Sequence, residues 1–235
     1  MTDRRPPDST LISTASQSAL EALKQLEVPL VVLVGGATGT GKSTVATEVA
    51  HRLGITRVTS TDVVRQTMRA FFSSEFMASI HFSSFEAGPA LATSDDDDGD
   101  RVLPGFLDQT RNVLVGVKAV LGRALEESYS LALEGVHLVP GMLPPVDGAV
   151  FCQVLLAIED EDEHARHFFI RDNEGLRPFD KYLRALPDIR RIQDYLVERA
   201  GKTGVPVIEN ASMEAAVDQV IDLVLAEVER VRAPA

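Results

Sequence analysis

From Pro29 to Val34 the chain runs Pro-Leu-Val-Val-Leu-Val with no polar interruption and ends in Gly35-Gly36. An unbroken β-branched and aliphatic run of this kind predicts a strand covered on both faces, as in a parallel sheet flanked by helices. The period then changes, and residues 42–53 predict a helix stopped by Gly54. Residues 56–60 predict a second strand with Asp62 at its carboxyl end, and residues 63–72 a helix. The stretch 73–104 is the least regular. A long amphipathic helix is predicted over 105–127, where Phe106, Val113, Val117, Val120, Leu121 and Leu125 supply the apolar stripe. Residues 130–135 predict a third strand, 148–158 a fourth and 205–208 a fifth. Helices are predicted over 161–171, 179–201 and 212–231, the last with Ser212 at its N-cap. Leu20, Leu23 and Leu26 suggest a leading helix, and residues 1–15 read as loose. No repeat of 20–50 residues is visible.

Strands alternating with helices imply a parallel sheet with right-handed crossovers. The fold class expected is α/β: one P-loop NTPase domain over residues 1–235, nucleoside-kinase-like, with five parallel strands and helices on both faces. A total of 235 residues suits a single domain.

Charge narrows the partners. The formal net charge is −12, which repels nucleic acid and anionic membranes, so any bound anion must be drawn by a local basic site. No apolar run approaches the roughly 20 residues of a membrane span. The start, Met1-Thr2-Asp3-Arg4-Arg5, is not followed by the apolar stretch of a secretory signal. A single cysteine, Cys152, excludes an internal disulfide and fits a reducing cytosol. The expected location is therefore cytoplasmic. Cys152 lies in an apolar run and reads as a buried structural thiol.

The chemistry is announced by Gly36-Ala37-Thr38-Gly39-Thr40-Gly41-Lys42-Ser43-Thr44, which satisfies G-x-x-x-x-G-K-[ST]. The glycines let the backbone curl so that successive N–H groups face phosphate oxygens. The following helix adds its positive end. Lys42 is expected at the β and γ phosphates, and the Ser43 hydroxyl on Mg²⁺. ATP and Mg²⁺ are thus the expected cofactors. Glu134, closing the strand Leu131-Ala132-Leu133, is a second candidate near the metal. The chain has no Asn-Lys-x-Asp guanine reader, and Asp172-Asn173-Glu174-Gly175 matches a switch motif only in spacing.

Asp62 follows the second strand, whose carboxyl end faces the ligand crevice of an open α/β sheet. It suits proton acceptance from an acceptor hydroxyl, and equally a helix N-cap. Arg65 and Arg69, one turn apart, are candidates to hold an anionic small-molecule substrate. Between His164 and Arg191 stand seven basic and four acidic residues, so this stretch carries +3 and the remainder −15. Such an island suits a lid over the transferring phosphoryl group at residues 160–180, with Arg166 and Arg171 as its catalytic cations. Surface ion pairing is the alternative for Arg184 and Lys181. His164 and His167 read as packing or hydrogen-bonding residues, since no metal-ligand cluster accompanies them. The run Asp95 to Asp100 reads as a solvated loop.

Together these pieces resemble the 2-phosphoglycerate kinases. The resemblance rests on the loop from Gly35 to Thr44 and on Leu53-Gly54-Ile55-Thr56-Arg57-Val58-Thr59-Ser60-Thr61-Asp62-Val63-Val64-Arg65. It continues through His81-Phe82-Ser83-Ser84-Phe85-Glu86-Ala87, Leu133-Glu134-Gly135-Val136-His137-Leu138-Val139-Pro140-Gly141 and Ile189-Arg190-Arg191-Ile192-Gln193-Asp194-Tyr195-Leu196. Its last piece is Gly204-Val205-Pro206-Val207-Ile208-Glu209-Asn210, so it spans about residues 30–225. The Glu-Gly-Val-His-Leu-Val-Pro-Gly stretch is far more specific than the phosphate loop. The resemblance implies ATP-dependent transfer to 2-phosphoglycerate, forming 2,3-bisphosphoglycerate, and puts Glu134 and His137 on the substrate side. For His137 a polar residue packed in the turn before Pro140 is an equal reading. Phe85 departs from a tyrosine in the family pattern, and the acidic run has no counterpart there. Kinases for other small acidic metabolites, or a nucleotide-dependent switch, are the competing functions.

Overall fold

The computed structural model describes residues 28–91, 100–143, 146–173 and 179–232, with the side chains of 169–173 and 179 outside the description. The expected leading helix, the loose residues 1–15, Asp95 to Gly99 and the turn around Gly175 lie outside the described residues.

The strands are β1 (Leu30–Gly36), β2 (Val58–Ser60), β3 (Leu131–Gly135), β4 (Val150–Ala157) and β5 (Val207–Glu209). The α-helices are α1 (Lys42–Leu53), α2 (Thr61–Phe71), α3 (Val102–Glu126), α4 (Glu161–Asn173), α5 (Phe179–Arg184), α6 (Leu186–Thr203) and α7 (Met213–Arg232). All strands pair in parallel, in the order β2-β3-β1-β4-β5. The five-stranded parallel sheet read from the sequence is therefore present, with element ends moved by a few residues. The irregular stretch between α2 and α3 carries short 3₁₀ turns at Ala78–His81, Ser84–Glu86 and Gly88–Ala90.

Strand β1 sits at the centre, paired with β3 from Val31↔Leu131 to Gly35↔Gly135 and with β4 from Leu30↔Val150 to Gly36↔Leu156. Its alternation explains why the run is apolar throughout. Leu30, Val32 and Val34 pack with Val45 and Val49 of α1 and Val217, Val220 and Val224 of α7. Val31 and Leu33 pack on the other face with Val64 of α2 and Val113, Val117 and Leu121 of α3. A third cluster, including Phe106, Phe168, Ile189, Ile192 and Leu196, joins α3, α4 and α6 beside the phosphate loop. Each such buried aliphatic or aromatic side chain contributes about 1.5–3 kcal/mol. Cys152 is buried in the first cluster, and burial pushes its thiol up to about 12, as a structural cysteine requires.

Chain order reverses beside β1: the chain leaves it for β2, returns at β3 and then crosses to β4. The carboxyl ends of β1 and β3 thus frame the crevice where open α/β sheets take ligands.

Candidate functional site

A cleft of about 1170 Å³ opens at these carboxyl ends. Lys42, Ser43 and Thr44 line one end, Glu134 and Gly135 the middle, and Asp62, Arg65 and Arg69 the other end with residues 81–85.

The phosphate loop is shaped from outside. His164 donates from Nε2 to the Thr38 carbonyl (2.8 Å) and His167 from Nδ1 to the Gly39 carbonyl (2.9 Å). Asn210 donates from Nδ2 to the Thr40 carbonyl (2.9 Å). In a trans peptide the N–H points opposite to the C=O. Holding these carbonyls therefore aims the N–H groups of Gly39 and Gly41 the other way, which is the geometry an anion nest needs, while the Thr40 N–H meets the Ala37 carbonyl at 3.4 Å. Helix α1 starts behind Gly41 without a side-chain cap, leaving its first N–H groups to a ligand. Gly39 has φ +93°, and a Cβ there would sit 2.5 Å from the Phe168 ring, so neither backbone nor packing admits a side chain.

Lys42 departs from the solvent-facing position an empty loop suggests. It is only 9% exposed, and Nζ donates to the Ala37 carbonyl at 3.1 Å, which holds the ammonium beside the loop. Ala37 itself is fully buried and gives the cleft no side chain, so its part is this carbonyl. Ser43 Oγ donates to Glu134 Oε1 at 2.9 Å across the β1–β3 junction. A hydroxyl beside a carboxylate fits Mg²⁺, a hard cation that takes few protein oxygens and completes its shell with waters and phosphates. Among the described residues no cluster of three or more His, Cys, Asp or Glu forms a metal cage.

At the far end, Ser60 and not Asp62 caps α2: its hydroxyl accepts the Val63 N–H at 3.1 Å. The capping role weighed for Asp62 is thereby filled, and its carboxylate, half exposed, faces the cleft. Arg65 Nε donates to Asp62 Oδ1 at 3.1 Å. Burial pushes the Asp62 carboxyl up. The Arg65 guanidinium, through its charge and its hydrogen bond, leads the opposing influences that hold the group below its usual value, with the Lys42 ammonium adding to them. It is ionised at neutral pH. Arg65 is less free for substrate than its sequence position suggests, since Nη1 also donates to the Ile80 and Phe82 carbonyls at 2.9 and 3.0 Å. Arg69 lines the cleft and reaches Gln66 Oε1 at 3.2 Å.

Two expectations are corrected. His137 is fully buried and does not line the cleft, so its ring is not presented to a substrate there. Its Nδ1 meets Thr61 Oγ1 at 2.8 Å and its Nε2 meets Gln109 Oε1 at 2.9 Å. Burial drives its pKa down to about 3, against the pull of Asp62, and leaves the ring neutral. Arg166 is 67% exposed, pairs with Glu163 on its own helix and lies outside the cleft lining. The side chain of Arg171 lies outside the described residues. The basic island is also dispersed: Arg190 holds the Ile158 and Glu159 carbonyls, Arg191 pairs with Asp100, and Lys181 pairs with Glu86 at 2.7 Å. Among the described residues, no arginine of this stretch lines the cleft. The histidines anchor α4 instead, with burial lowering His164 to about 4.

Gln109, Thr61 and Asn210 are the residues that sequence reasoning missed. Gln109 and Thr110 break the apolar stripe of α3 between Phe106 and Val113, and a polar pair on a buried face was the available signal.

Comparison with known proteins bears on this site. A 2-phosphoglycerate kinase from Thermococcus kodakarensis is 41% identical over 199 residues, covering 85% of this chain and 67% of that protein. The chain belongs to the 2-phosphoglycerate kinase family. The family member from Methanopyrus kandleri is 38% identical over 206 residues, covering 86% of this chain and 62% of its own length. The chain thus spans about two thirds of the length of the curated family members it matches. No protein-family model matches it. A crystal structure of a Thermus thermophilus protein superposes with a TM-score of 0.51 at 20% identity, covering 86% of this chain and 98% of that one, and supports the fold alone.

Proposed function

We propose that this chain transfers the γ-phosphoryl group of ATP to the free hydroxyl of 2-phosphoglycerate, giving 2,3-bisphosphoglycerate and ADP. The observation that carries the reading is one continuous cleft with a phosphate loop at one end and, at the other, an ionised carboxylate paired with Arg65, where Arg69 also lines the wall. The family's named activity supplies the substrate.

In this reading the N–H groups of the loop from Gly36 to Thr44 bind the nucleotide phosphates, and Lys42 offsets charge on the β–γ bridge as it breaks. Ser43 and Glu134 hold Mg²⁺, which neutralises phosphate charge. Asp62 orients the acceptor hydroxyl and takes its proton as the O–P bond forms. Its lowered pKa makes it an orienting acceptor first, with proton transfer late, as suits a loose phosphoryl transition state. Arg65 and Arg69 give this end the positive charge an acceptor bearing carboxylate and phosphate requires.

ADP release measured with ATP and a panel of 2-phosphoglycerate, 3-phosphoglycerate and glycerate tests the proposal. Turnover that depends on 2-phosphoglycerate and yields the bisphosphate is expected. Equal ATP consumption without any acceptor, or preference for another acceptor, overturns it.

A further inference from the structure

Asp62 does not stand alone at the acceptor end; a closed circuit of hydrogen bonds runs behind it. Gln109 Nε2 donates to the Ser79 carbonyl at 2.6 Å and to the Phe82 carbonyl at 3.0 Å. That fixes the amide orientation, so Oε1 is the acceptor for His137 Nε2–H at 2.9 Å. His137 Nδ1 is then unprotonated and accepts the Thr61 hydroxyl at 2.8 Å. Thr61 precedes Asp62 in the chain, Asp62 accepts from Arg65, and Arg65 returns to the same Phe82 carbonyl. Gln109, His137 and Thr61 are each fully buried. The contact at Thr61 is tight as well: a Cβ on Gly135 (φ +152°) would stand 1.9 Å from the Thr61 hydroxyl, so only glycine lets α2 begin there.

We infer that Gln109 is a positioning residue for acceptor phosphorylation, locking Asp62 and the loop at residues 79–85 into one unit through His137 and Thr61. Gln109 does not line the cleft, while Phe82, Ser83, Ser84 and Phe85 do. Its effect therefore runs through the placement of the acceptor wall relative to the carboxylate. A small misplacement of a reacting group is enough to slow transfer by roughly 10²-fold. The nucleotide end is held by a separate set of contacts, from His164, His167 and Asn210. Breaking the circuit must therefore separate the two substrates kinetically. A neutral His137 suits the role, since a ring that stays unprotonated keeps one donor and one acceptor across the working pH range.

This inference rests on the acceptor reading given above, and the test separates the two. Gln109→Met keeps the length and removes both hydrogen-bonding ends. Expected are a fall of roughly tenfold or more in kcat/KM for 2-phosphoglycerate and an unchanged KM for ATP. Gln193→Met is the matched control: it is another buried glutamine, bonded to Ile158 N and O, whose loss lowers Tm without separating the substrates. Should Gln109→Met not fold, Thr61→Val cuts the same circuit at one hydroxyl and carries the same expectation. Acceptor kinetics equal to wild type in a folded variant, or equal losses for both substrates, overturn the circuit alone. A wild-type chain with no acceptor-dependent turnover overturns the acceptor reading and the circuit with it.

Discussion

Ser43 and Glu134, separated by 91 residues in the chain, meet side chain to side chain at 2.9 Å because β1 and β3 are neighbours in register. The contact pins the first turn of α1 to the end of β3, at the point where the phosphate loop turns into its helix. Neither group has a structural need for the other, since Ser43 is exposed and a surface hydroxyl is equally well hydrated. The pairing of two hard oxygen donors is what a divalent cation beside phosphates uses.

Glu134→Gln keeps the hydrogen bond and removes the charge. We expect the Mg²⁺ concentration for half-maximal turnover to rise roughly 10–100-fold, the range seen when a metal's supporting groups are lost. A magnesium titration of ATP turnover checks this, and an unchanged midpoint would remove Glu134 from the metal site. Tm should stay near wild type.

Asp62→Asn retains a carbonyl oxygen for Arg65 but cannot take a proton. Its kcat should fall by about 10²–10⁴-fold, as for loss of a general base. The KM for ATP should change far less than kcat, because the hydrogen bond of Asp62 is to Arg65 and Lys42 acts on it through charge. Initial rates with each substrate varied in turn give the answer. A normal kcat with a lowered Tm would leave Asp62 only its contact with Arg65.

Much of this was legible from residue order. The run at β1, the glycine pattern after it and Glu134 at the end of β3 point to the nucleotide half from the sequence alone. Boundaries failed where proline was misread. The helix read over 179–201 breaks at Ala185, and Pro187 falls in the first turn of α6, where its missing N–H costs nothing. Helix α3 likewise begins at Val102, ahead of Pro104. Charge counted along a sequence carries no direction. The +3 stretch between His164 and Arg191 suggests a cationic lid, and among its described arginines Arg166, Arg190 and Arg191 turn to partners on the protein. His137, by contrast, lay in a specific motif whose side-chain direction no spacing rule reveals, and the structure turns it inward.

Two neutral, fully buried histidines give the fold an acid sensitivity. His137 and His164 are lowered to about 3 and about 4 from an ordinary 6.5. Between the ordinary and the lowered values the unfolded chain binds protons that the folded chain does not, so stability falls as pH falls. The slope is up to about 1.4 kcal/mol per pH unit for each histidine. Urea unfolding from pH 8 to pH 4.5 should show a plateau above about pH 6.5 and a decline below it. His164→Phe should flatten part of that decline, and a decline as steep as wild type in that variant would remove His164 from the explanation.

Helix α4 is the remaining case, because its sequence suggests a mobile cover and its contacts do not. His164 and Phe168 are 0% and 2% exposed. Their rings stack at 5.4 Å, and Phe168 stacks in turn on Tyr182 of α5 at 5.3 Å. Tyr182 meets Phe85 edge-on at 5.7 Å, so an aromatic row runs from the phosphate loop to the acceptor wall. Segments with few buried contacts open easily and segments like this one do not. Hydrogen exchange should therefore find residues 161–168 protected to a similar degree with and without a non-hydrolysable ATP analogue. Arg166→Ala should leave kcat close to wild type, since that guanidinium is spent on Glu163 at the surface. His167→Ala, by contrast, frees the Gly39 carbonyl and should raise the KM for ATP more than that for the acceptor. Strong nucleotide-dependent protection of 161–168, together with a large kcat loss in Arg166→Ala, would restore a closing helix and make the phosphate loop its target.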